Sequence, residues 1–439
     1  MKTIAIIGGG AAGLSAAIAA GNEVARLGLE GACRIVLFEA DPERIGRSIL
    51  ATGNGRCNFS NAHIDASLYR NAAFVDETLR ALAGDEGLSS LGRAGDARFG
   101  GGVAADPVHR FLGSLGLLWR EEGEGRLYPA ANKASSVLDV LRAALKASGA
   151  QIEFGKSLCA VEAPEQGRGR FHLRFSDGSI AHAEEVVLAV GGRGMDAVVM
   201  PPAIERVPMR PVLGPLRATP RIARQLNNIR VKCVVSLLRD GDTVAREEGE
   251  LLFRDYGVSG VCVFNLSRTA QPGDMLSIDL LPQIAQDEKE PWLFARRKHL
   301  CASLSRDGAI TVGEVLRGAL LPQVAHVVAR VAGTDEDAVI AKADVPALAY
   351  ALGHLELVVE GIGDARQCQV MRGGLRACAF DPQTMESLAL PGLFAAGEAL
   401  DVDAPCGGYN LHWAWSSGLI AGASAVRRIV SGKTEEAAR

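Results

Sequence analysis

Three glycines near the N-terminus have the spacing of a phosphate-binding turn. Gly8, Gly10 and Gly13 form the pattern G-x-G-x-x-G between a short apolar run and an alanine-rich segment that predicts a helix, and a second apolar run ends at Glu39. Glycines let the backbone turn tightly and let a pyrophosphate approach the helix N-terminus, while the acid accepts hydrogen bonds from ribose hydroxyls. This order predicts dinucleotide binding, although a tight turn without a ligand has the same glycine spacing.

A second group of glycines lies near the C-terminus. An apolar run there ends in Gly397-Glu398 and is followed by Asp401 and Asp403. In flavoproteins with two dinucleotide-type half-sites, a strand of this kind ends beside the ribityl chain of FAD, where its acid binds a hydroxyl. Residues 408–411 then open the last predicted helix, whose N-terminus would stabilise the negative charge of reduced flavin. A simple NAD dehydrogenase needs no second half-site at its C-terminus, so this group favours FAD. The alternative interpretation is an ordinary turn before a helix.

A third group, in a polar loop after the second predicted strand, contains Gly53, Gly55, Arg56 and Asn58. Such a loop suits a position below the pyrophosphate and the flavin. Arg56 could form a two-pronged ion pair with a phosphate, and Arg47 is a second candidate for that role.

The elements that must position these groups change in character along the chain. Residues 135–148 have the apolar spacing of an amphipathic helix, and Asp177-Gly178 predicts a hairpin turn between two strands. After Gly191-Gly192, residues 195–275 contain many prolines and short β-rich runs, and residues 283–352 have helical spacing. The sequence therefore predicts a small β domain and a helical insert within a longer α/β chain.

The composition excludes several classes of protein. The 439 residues are 48% hydrophobic and 22% charged with a formal charge of −4, which is ordinary for a soluble globular protein and gives no footprint for nucleic acid. The nine cysteines contain no CxxC pair and fit no zinc pattern, so we expect free thiols and no metal site. We find no signal peptide and no apolar run of ~20 residues, so we expect a cytoplasmic protein without a transmembrane segment. The oligomeric state stays open.

Several long segments together resemble one family. They are GRSILATGNGRCNFSNA, GRLYPAANKASSVLDVL, GELLFRDYGVSG, DPQTMESLALPGLFAAGEALDVD and GGYNLHWAWSSG. The chain is similar over nearly its whole length to the bacterial HI-type conserved flavoproteins. These are also called BaiN/RdsA-family NAD(P)/FAD-dependent oxidoreductases or aminoacetone-oxidase-family FAD-binding enzymes.

This resemblance implies an α/β fold with three nested parts. A glutathione-reductase-like FAD-binding Rossmann domain (residues 1–194 and 361–439) is interrupted by a β-barrel domain (195–282, with a return at 346–360). The barrel is in turn interrupted by a small helical subdomain (283–345). The residue implied to contact adenine through its backbone is Leu158. The other FAD contacts that the resemblance implies are Gly8, Gly10, Ala12, Gly13, Glu39, Ala40, Arg47, Gly53, Gly55, Arg56, Asn58, Gly191, Gly397, Glu398, Asp401, Gly408, Tyr409, Asn410 and Leu411.

Bound flavin performs the redox step in such enzymes, so the protein supplies positioning and one proton donor. The candidate acids are Tyr256, Tyr409, Cys57 and His412. For Cys57 the competing interpretation is a small packed residue, and for His412 a solvated or structural role.

Three functions fit these features. The leading one is an FAD-dependent oxidoreductase that reduces an activated carbon–carbon double bond of a small organic substrate, with NAD(P)H as a transient electron donor. The second is an FAD-dependent amine oxidase that uses oxygen. The third is an FAD-containing RNA-modifying or RNA-binding protein, which the mild acidity disfavours, so we expect no nucleic-acid partner.

Overall fold

The computed structural model describes residues 1–89, 106–164, 169–303 and 310–437. The chain divides into two units. Unit 1 comprises Met1–Arg210 and Val370–Arg439, and unit 2 comprises Pro211–Gln369. The sequence places these boundaries at 194/195 and 360/361, so the first stretch of unit 1 is longer than expected and its last stretch is shorter.

Helices and strands are numbered here in chain order. The first stretch of unit 1 contains β1 (Lys2–Ile7), α1 (Ala11–Arg26), β2 (Cys33–Phe38), α2 (Arg47–Ala51), β3 (Ser60–Asn61), α3 (Ala72–Gly84), α4 (Glu86–Ser89), α5 (Pro107–Ser114), β4 (Trp119–Glu122), β5 (Arg126–Pro129), α6 (Ala134–Ala147), β6 (Gln151–Glu153), β7 (Leu158–Glu162), β8 (Phe171–Phe175), β9 (Ile180–Ala183), β10 (Glu185–Leu188), α7 (Gly191–Ala197) and β11 (Arg206–Val212), which ends just inside unit 2. Unit 2 contains β12 (Leu216–Ala218), α8 (Pro220–Gln225), β13 (Arg230–Arg239), β14 (Asp242–Arg254), β15 (Gly257–Ser259), α9 (Val261–Leu266), β16 (Met275–Asp279), α10 (Lys289–Ser303), α11 (Val312–Leu316), α12 (Pro322–Val331), α13 (Val345–Gly353) and β17 (Leu355–Ile362). The last stretch of unit 1 contains β18 (Val370–Leu375), β19 (Leu393–Ala395) and α14 (Tyr409–Ala437).

Five parallel strands of unit 1 form the sheet that positions the glycine turn. Their order among the described residues is β19-β10-β1-β2-β6. The last four residues of β1 and all four of β10 are buried, as expected for strands covered on both faces. The strand order reverses at β1, which lies between β2 and β10. Open α/β sheets bind ligands beyond the carboxyl ends of their strands at such a reversal.

Helix α1 packs against α14 with almost no space between the two backbones. A Cβ atom added to Gly418 would lie 2.3 Å from the Ala12 oxygen, and one added to Gly422 would lie 2.1 Å from the Ala16 oxygen. The small side chains of α1 and the glycines of α14 therefore allow the two helices to approach closely. This contact joins the two ends of the chain within unit 1.

Six strands of unit 2 form a closed barrel in the order β12-β15-β14-β13-β16-β17. The long strands β13 and β14 are joined at Asp240-Gly241, whose φ angles of +52° and +91° are those of a two-residue hairpin turn. The helices α10 to α13 share one hydrophobic core with this barrel. Because α13 occupies residues 345–353, only β17 returns the chain to the barrel. The predicted α/β fold, a Rossmann domain with an inserted β-barrel, is confirmed.

The hairpin predicted at Asp177-Gly178 is also confirmed, because β8 and β9 pair antiparallel on either side of it. Among the helices that the structure describes, we find none with the combination of length and apolar character that a membrane span requires.

Candidate functional site

The glycine turn between β1 and α1 has the geometry of an anion cradle. A Cβ atom on Gly13 would lie 1.7 Å from the Gly8 oxygen, and one on Gly8 would lie 2.4 Å from the oxygen of Ala189, the residue after β10. Gly10 caps α1 without any side-chain hydrogen bond to the first-turn N–H groups. An anion is favoured at such an N-terminus, so this turn fits the pyrophosphate of a dinucleotide. Ala12, in the first turn of α1, is buried beside it.

Glu39 is held firmly at the carboxyl end of β2. Its Oε2 accepts a hydrogen bond from the Gly9 N–H at 2.6 Å, and its Oε1 accepts one from the Asp41 N–H at 2.8 Å. Carboxylate oxygens have further lone pairs, so the same group can also accept from ribose hydroxyls. Ala40 follows as an exposed residue, and Arg47 is 84% exposed with its guanidinium 3.6 Å from Asp41. These placements suit the adenosine half of a dinucleotide.

The polar loop after α2 has an unusual backbone and one unpartnered oxygen. Gly53, Gly55 and Cys57 all have left-handed φ angles, of +55°, +80° and +60°. The Asn58 Oδ1 atom is buried and has no hydrogen-bond partner among the described residues. A buried acceptor without a donor is costly, so this atom fits a donor group of a bound cofactor.

Arg56 has several partners within the protein. Its Nε donates to Asn132 Oδ1 at 2.5 Å, its Nη2 donates to Glu122, and its guanidinium lies 4.1 Å from the centre of the Tyr128 ring. Arg56 therefore fixes the loop to the β4–β5 hairpin, and its predicted contact with a phosphate of FAD stays a prediction.

Gly397 is tied to the first third of α14. Its N–H donates to Ser417 Oγ at 2.9 Å, and its carbonyl oxygen accepts from Trp413 Nε1 at 3.1 Å. The neighbouring Glu398 carboxylate accepts from the backbone N–H groups of Met371 and Gly192, and burial raises its pKa to about 7. Glu398 therefore links the start of α7, which begins at Gly191, to β18.

Asp401 also has partners within the protein. Its Oδ1 accepts from Arg70 Nε at 2.7 Å and from the Gly373 N–H at 3.0 Å, and the residue is buried. This oxygen is therefore held by an arginine 331 positions away in sequence, and the predicted contact between Asp401 and FAD stays a prediction. Arg372 pairs with Asp403 in the same way, at 2.8 and 2.7 Å. No local pattern in the sequence marks either arginine.

The start of α14 is close-packed against β3. A Cβ atom on Gly408 would lie 2.1 Å from the Ser60 oxygen. The Asn410 side chain closes the preceding loop, because it accepts from the Ala404 N–H and donates to the Ala404 oxygen, both at 2.9 Å. Leu411 is half-buried in the first turn. The N-terminus of α14 is therefore a rigid part of the same site.

Two of the four candidate acids are shielded from any substrate. The Cys57 side chain is completely buried, and burial raises its pKa to about 11. The His412 ring is 1% exposed, its Nδ1 lies 2.9 Å from Ser60 Oγ, and burial lowers its pKa to about 4. Their burial favours the interpretation of Cys57 as a packed residue and of His412 as a structural one.

The two tyrosines stay candidates. Tyr409, at the first position of α14, is half-buried, its hydroxyl donates weakly to the His63 oxygen at 3.3 Å, and burial raises its pKa. Tyr256 lies in unit 2 between β14 and β15, and burial raises its pKa too. A raised pKa keeps each hydroxyl protonated, as a proton donor requires. Leu158 begins β7, where its predicted backbone contact with adenine stays a prediction.

Comparison with known proteins gives consistent matches. The model of the HI0933-like protein Rossmann domain matches residues 104–424. A 3-dehydro-bile acid delta(4,6)-reductase of Clostridium scindens is 31% identical over 452 aligned positions, which cover 98% of this chain and 100% of the relative. A ribosomal RNA dihydrouridine synthase of Escherichia coli is 28% identical and covers 94% of this chain and 95% of its own. The open conformation of a flavocytochrome c3 fumarate reductase aligns with a TM-score of 0.42 at 16% identity, covering 97% of this chain and 78% of that one.

The family match spans well over half of the chain, and the first relative aligns with nearly all of it. The family expected from the sequence motifs is confirmed: the chain belongs to the HI0933-like Rossmann-domain family.

Proposed function

We propose that this chain is an FAD-dependent reductase that adds hydrogen across an activated carbon–carbon double bond, with NAD(P)H as the electron donor. The observation that carries this proposal is the alignment, at 31% identity over 98% of this chain, with a relative named a delta(4,6)-reductase. That name describes the reduction of double bonds. A second relative is named for making dihydrouridine, which is uridine with its 5,6 double bond reduced. Both double bonds are activated by conjugation to a carbonyl group.

The described residues of unit 1 support FAD as the cofactor. The uncapped turn at Gly8–Gly13 would hold the pyrophosphate of FAD, and Glu39 would hold its ribose. Asn58 offers a buried acceptor oxygen to another part of the cofactor. FAD supplies the hydride in reductions of this class. The chain's own contribution is to bind and orient the cofactor, and to donate one proton.

Tyr409 is the proton donor that we propose within unit 1. Among the described residues its hydroxyl makes one weak hydrogen bond, it stays protonated, and the residue lies next to Gly408 at the start of α14. A positioned acid of this kind contributes roughly 10²–10⁴-fold to the rate. Tyr256 is the corresponding candidate in unit 2.

A test of the function uses the FAD-loaded enzyme without air. We expect NADH or NADPH to bleach the flavin absorbance. We then expect a conjugated 3-oxo-4,6-diene steroid to restore the absorbance, while the saturated 3-oxo steroid, as a matched control, leaves it bleached. If neither nucleotide bleaches the flavin, NAD(P)H is the wrong donor. If no conjugated acceptor restores it but an amine bleaches the oxidised enzyme, the protein is an oxidase and the proposal is wrong.

A uracil base in RNA is a second candidate acceptor. The dihydrouridine-synthase relative favours it, and so do four exposed arginines on the barrel unit, Arg217, Arg221, Arg224 and Arg230. Exposed basic side chains are what a nucleic acid binds, although Arg230 is paired with Glu250. In the same reoxidation assay, an unmodified ribosomal RNA transcript that outperforms the steroid, with a rate that falls steeply with salt, would identify RNA as the substrate.

A further inference from the structure

A cluster of three buried polar side chains and one partly exposed carboxylate lies beside the start of α14, and the proposed reaction uses none of them. Ser60 comes from β3, Asp106 and His109 from the beginning of α5, and His412 from α14. Both imidazole rings are 1% exposed, and their centres are 5.8 Å apart.

The hydroxyl of Ser60 joins the two rings. Its Oγ lies 2.7 Å from His109 Nε2 and 2.9 Å from His412 Nδ1. A hydroxyl has a single proton to donate, so at least one of these two nitrogens must donate to Ser60. A neutral imidazole has only one N–H group, so the other nitrogen of that ring carries a bare lone pair.

The other nitrogens of both rings face the same carboxylate. His109 Nδ1 lies 3.7 Å from Asp106 Oδ1, and His412 Nε2 lies 3.6 Å from Asp106 Oδ2. His109 Nδ1 is buried and has no hydrogen-bond partner among the described residues. At least one ring therefore points a lone pair at the carboxylate, which repels it, and a cation between the groups would turn this repulsion into attraction.

We propose that Asp106, His109 and His412 bind one divalent metal ion of the zinc class. The ligand atoms would be His109 Nδ1, His412 Nε2 and one carboxylate oxygen of Asp106, and all three residues offer ligand atoms within 4.8 Å of one another. Zinc bonds of about 2.0–2.1 Å in a tetrahedral site put ligand atoms about 3.3–3.4 Å apart. The observed 3.7 Å from His109 Nδ1 to Asp106 Oδ1 and 3.6 Å from His412 Nε2 to Asp106 Oδ2 exceed this spacing by a few tenths of an ångström. The ligand atoms lie within 4.8 Å of one another, so the side chains would close around the ion by up to about 1.5 Å. This metal site replaces the expectation of no metal, which rested on spacing in the sequence.

Ser60 has the position of the outer partner that metal-bound histidines require. Its oxygen has two lone pairs and can accept from both imidazoles, while its own proton points to the Asn61 oxygen at 3.5 Å. That arrangement turns both free lone pairs towards the ion and fixes both tautomers. The Asp106 side chain is 24% exposed, which gives the ion a route to solvent and a place for a water ligand.

Asp106 also caps helix α5, and this allows a variant that changes metal binding without changing the fold. Asp106 Oδ1 accepts from the N–H groups of Val108 and His109 at 2.9 and 3.1 Å and so begins α5. Asparagine is an equally good capping residue but a much poorer ligand for zinc. The variant Asp106→Asn is therefore expected to fold and to lose the metal.

The experiment measures zinc and cobalt binding by the tag-free, FAD-loaded enzyme. After treatment with a chelator and return of Zn²⁺, we expect one zinc per wild-type chain, and Co²⁺ should give the strong visible absorption of a tetrahedral site. Asp106→Asn and His412→Gln should lower the affinity at least 10-fold, and Ser60→Ala by roughly 10–100-fold. The matched control is the double variant His172→Ala/His182→Ala, which removes an exposed histidine pair with ring centres 4.5 Å apart and should bind like the wild type.

Thermal unfolding gives a second readout. Zn²⁺ should raise the Tm of the wild type and leave that of Asp106→Asn unchanged, since a ligand stabilises only the state that binds it. Less than a tenth of an equivalent of zinc on the wild type, with no cobalt spectrum, would overturn the proposal and leave a proton as the cation in the cluster. Equal zinc binding by Asp106→Asn or, if that variant is not soluble, by Ser60→Ala would also overturn it.

Discussion

Glu39 supports the glycine turn as well as the expected ribose site, so its carboxylate contributes to FAD binding in two ways. Both of its oxygens accept backbone N–H groups, from Gly9 and Asp41. Glutamine has one acceptor oxygen, and its NH₂ group would face the second N–H group. We expect Glu39→Gln to weaken FAD binding by about 10-fold or more, because hydrogen bonds to charged groups contribute about 1.5–3 kcal/mol.

Titration of the apoenzyme with FAD, followed by flavin fluorescence, measures this loss. Glu43→Gln, which changes an exposed glutamate of the same loop, is the matched control. An unchanged FAD affinity in Glu39→Gln would show that the carboxylate serves the turn alone.

Glu185 makes the stability of the enzyme depend on pH. Its carboxyl group is buried in β10, and burial raises its pKa to about 8, although Arg428 Nε lies 3.5 Å away. Between about pH 4.5 and 8 the unfolded chain loses this proton and the folded chain keeps it. The free energy of unfolding therefore falls as the pH rises through this window and levels off above pH 8.

The variant Glu185→Gln should lose this slope, because its side chain is neutral in both states. We expect it to be more stable than the wild type above pH 8 by roughly 1–3 kcal/mol, the usual cost of an unsatisfied buried group. Thermal unfolding from pH 5 to 9 gives both curves, with the exposed Glu121→Gln as control. Parallel curves for the wild type and Glu185→Gln would contradict the raised pKa.

Tyr409 is the proposed proton donor, so its hydroxyl should be needed for catalysis. Phenylalanine removes only the hydroxyl and its weak hydrogen bond to the His63 oxygen, so Tyr409→Phe should keep the fold and the flavin spectrum. We expect kcat for double-bond reduction to fall by about 10²-fold. The exposed Tyr350→Phe is the control. An unchanged kcat in Tyr409→Phe together with a low kcat in Tyr256→Phe would place the proton donor in unit 2.

At the scale of elements, the contact between α1 and α14 sets the position of the glycine turn. A methyl group on Gly422 would have to displace the Ala16 oxygen of α1, which lies 2.1 Å from the added Cβ atom. We expect Gly422→Ala to lower the free energy of unfolding by about 1–3 kcal/mol, the usual cost of overpacking. FAD affinity should fall with it, because α1 carries the first-turn N–H groups.

Gly84, at the end of α3, provides the comparison for this substitution. Nothing lies within 4 Å of its added Cβ atom, so Gly84→Ala should be neutral or slightly stabilising. Urea unfolding of both variants gives the two free energies. Equal stability of Gly422→Ala and Gly84→Ala would show that the two helices can separate without cost.

The elements that the sequence predicts well are those whose partners are close in the chain. The β1–α1–β2 unit and the Asp177-Gly178 hairpin follow from spacing alone, since each contains its own turn and its own apolar pattern. The partners of Arg56 and Asp401 within the protein, Glu122 and Arg70, could not be predicted because they come from distant segments. His109 and His412 could not be paired for the same reason, as Ser60 joins them only after folding.

At the scale of the whole molecule, the chain leaves unit 1 and returns to it along one pair of strands. A Cβ atom on Gly373 of β18 would lie 2.3 Å from the Pro208 oxygen of β11, so the two strands are neighbours near the boundary. Just inside unit 2, the Gln369 N–H donates to the Leu213 oxygen at 3.0 Å. The exit and the return of the chain are therefore adjacent, and a short linker can join them.

Each unit also has a hydrophobic core of its own. One cluster of buried residues lies within unit 1 and runs from Ile4 to Ile429, and a second lies within unit 2 and runs from Leu216 to Val359. Compact units with separate cores can fold alone. We therefore expect a chain in which a short Gly-Ser linker replaces residues 211–369 to fold and to bind FAD, with an affinity within about 10-fold of the full chain, since every FAD contact implied by the sequence lies in unit 1.

Purification of this shortened chain tests the prediction, with the flavin absorbance as readout and circular dichroism as the measure of folding. The same chain with Gly13→Ala should fold less well and stay colourless, because the added Cβ atom would lie 1.7 Å from the Gly8 oxygen. A shortened chain that folds but binds no FAD would mean that unit 2 supplies part of the cofactor site. A shortened chain that does not fold would mean that the core of unit 1 depends on unit 2, in spite of the separate clusters.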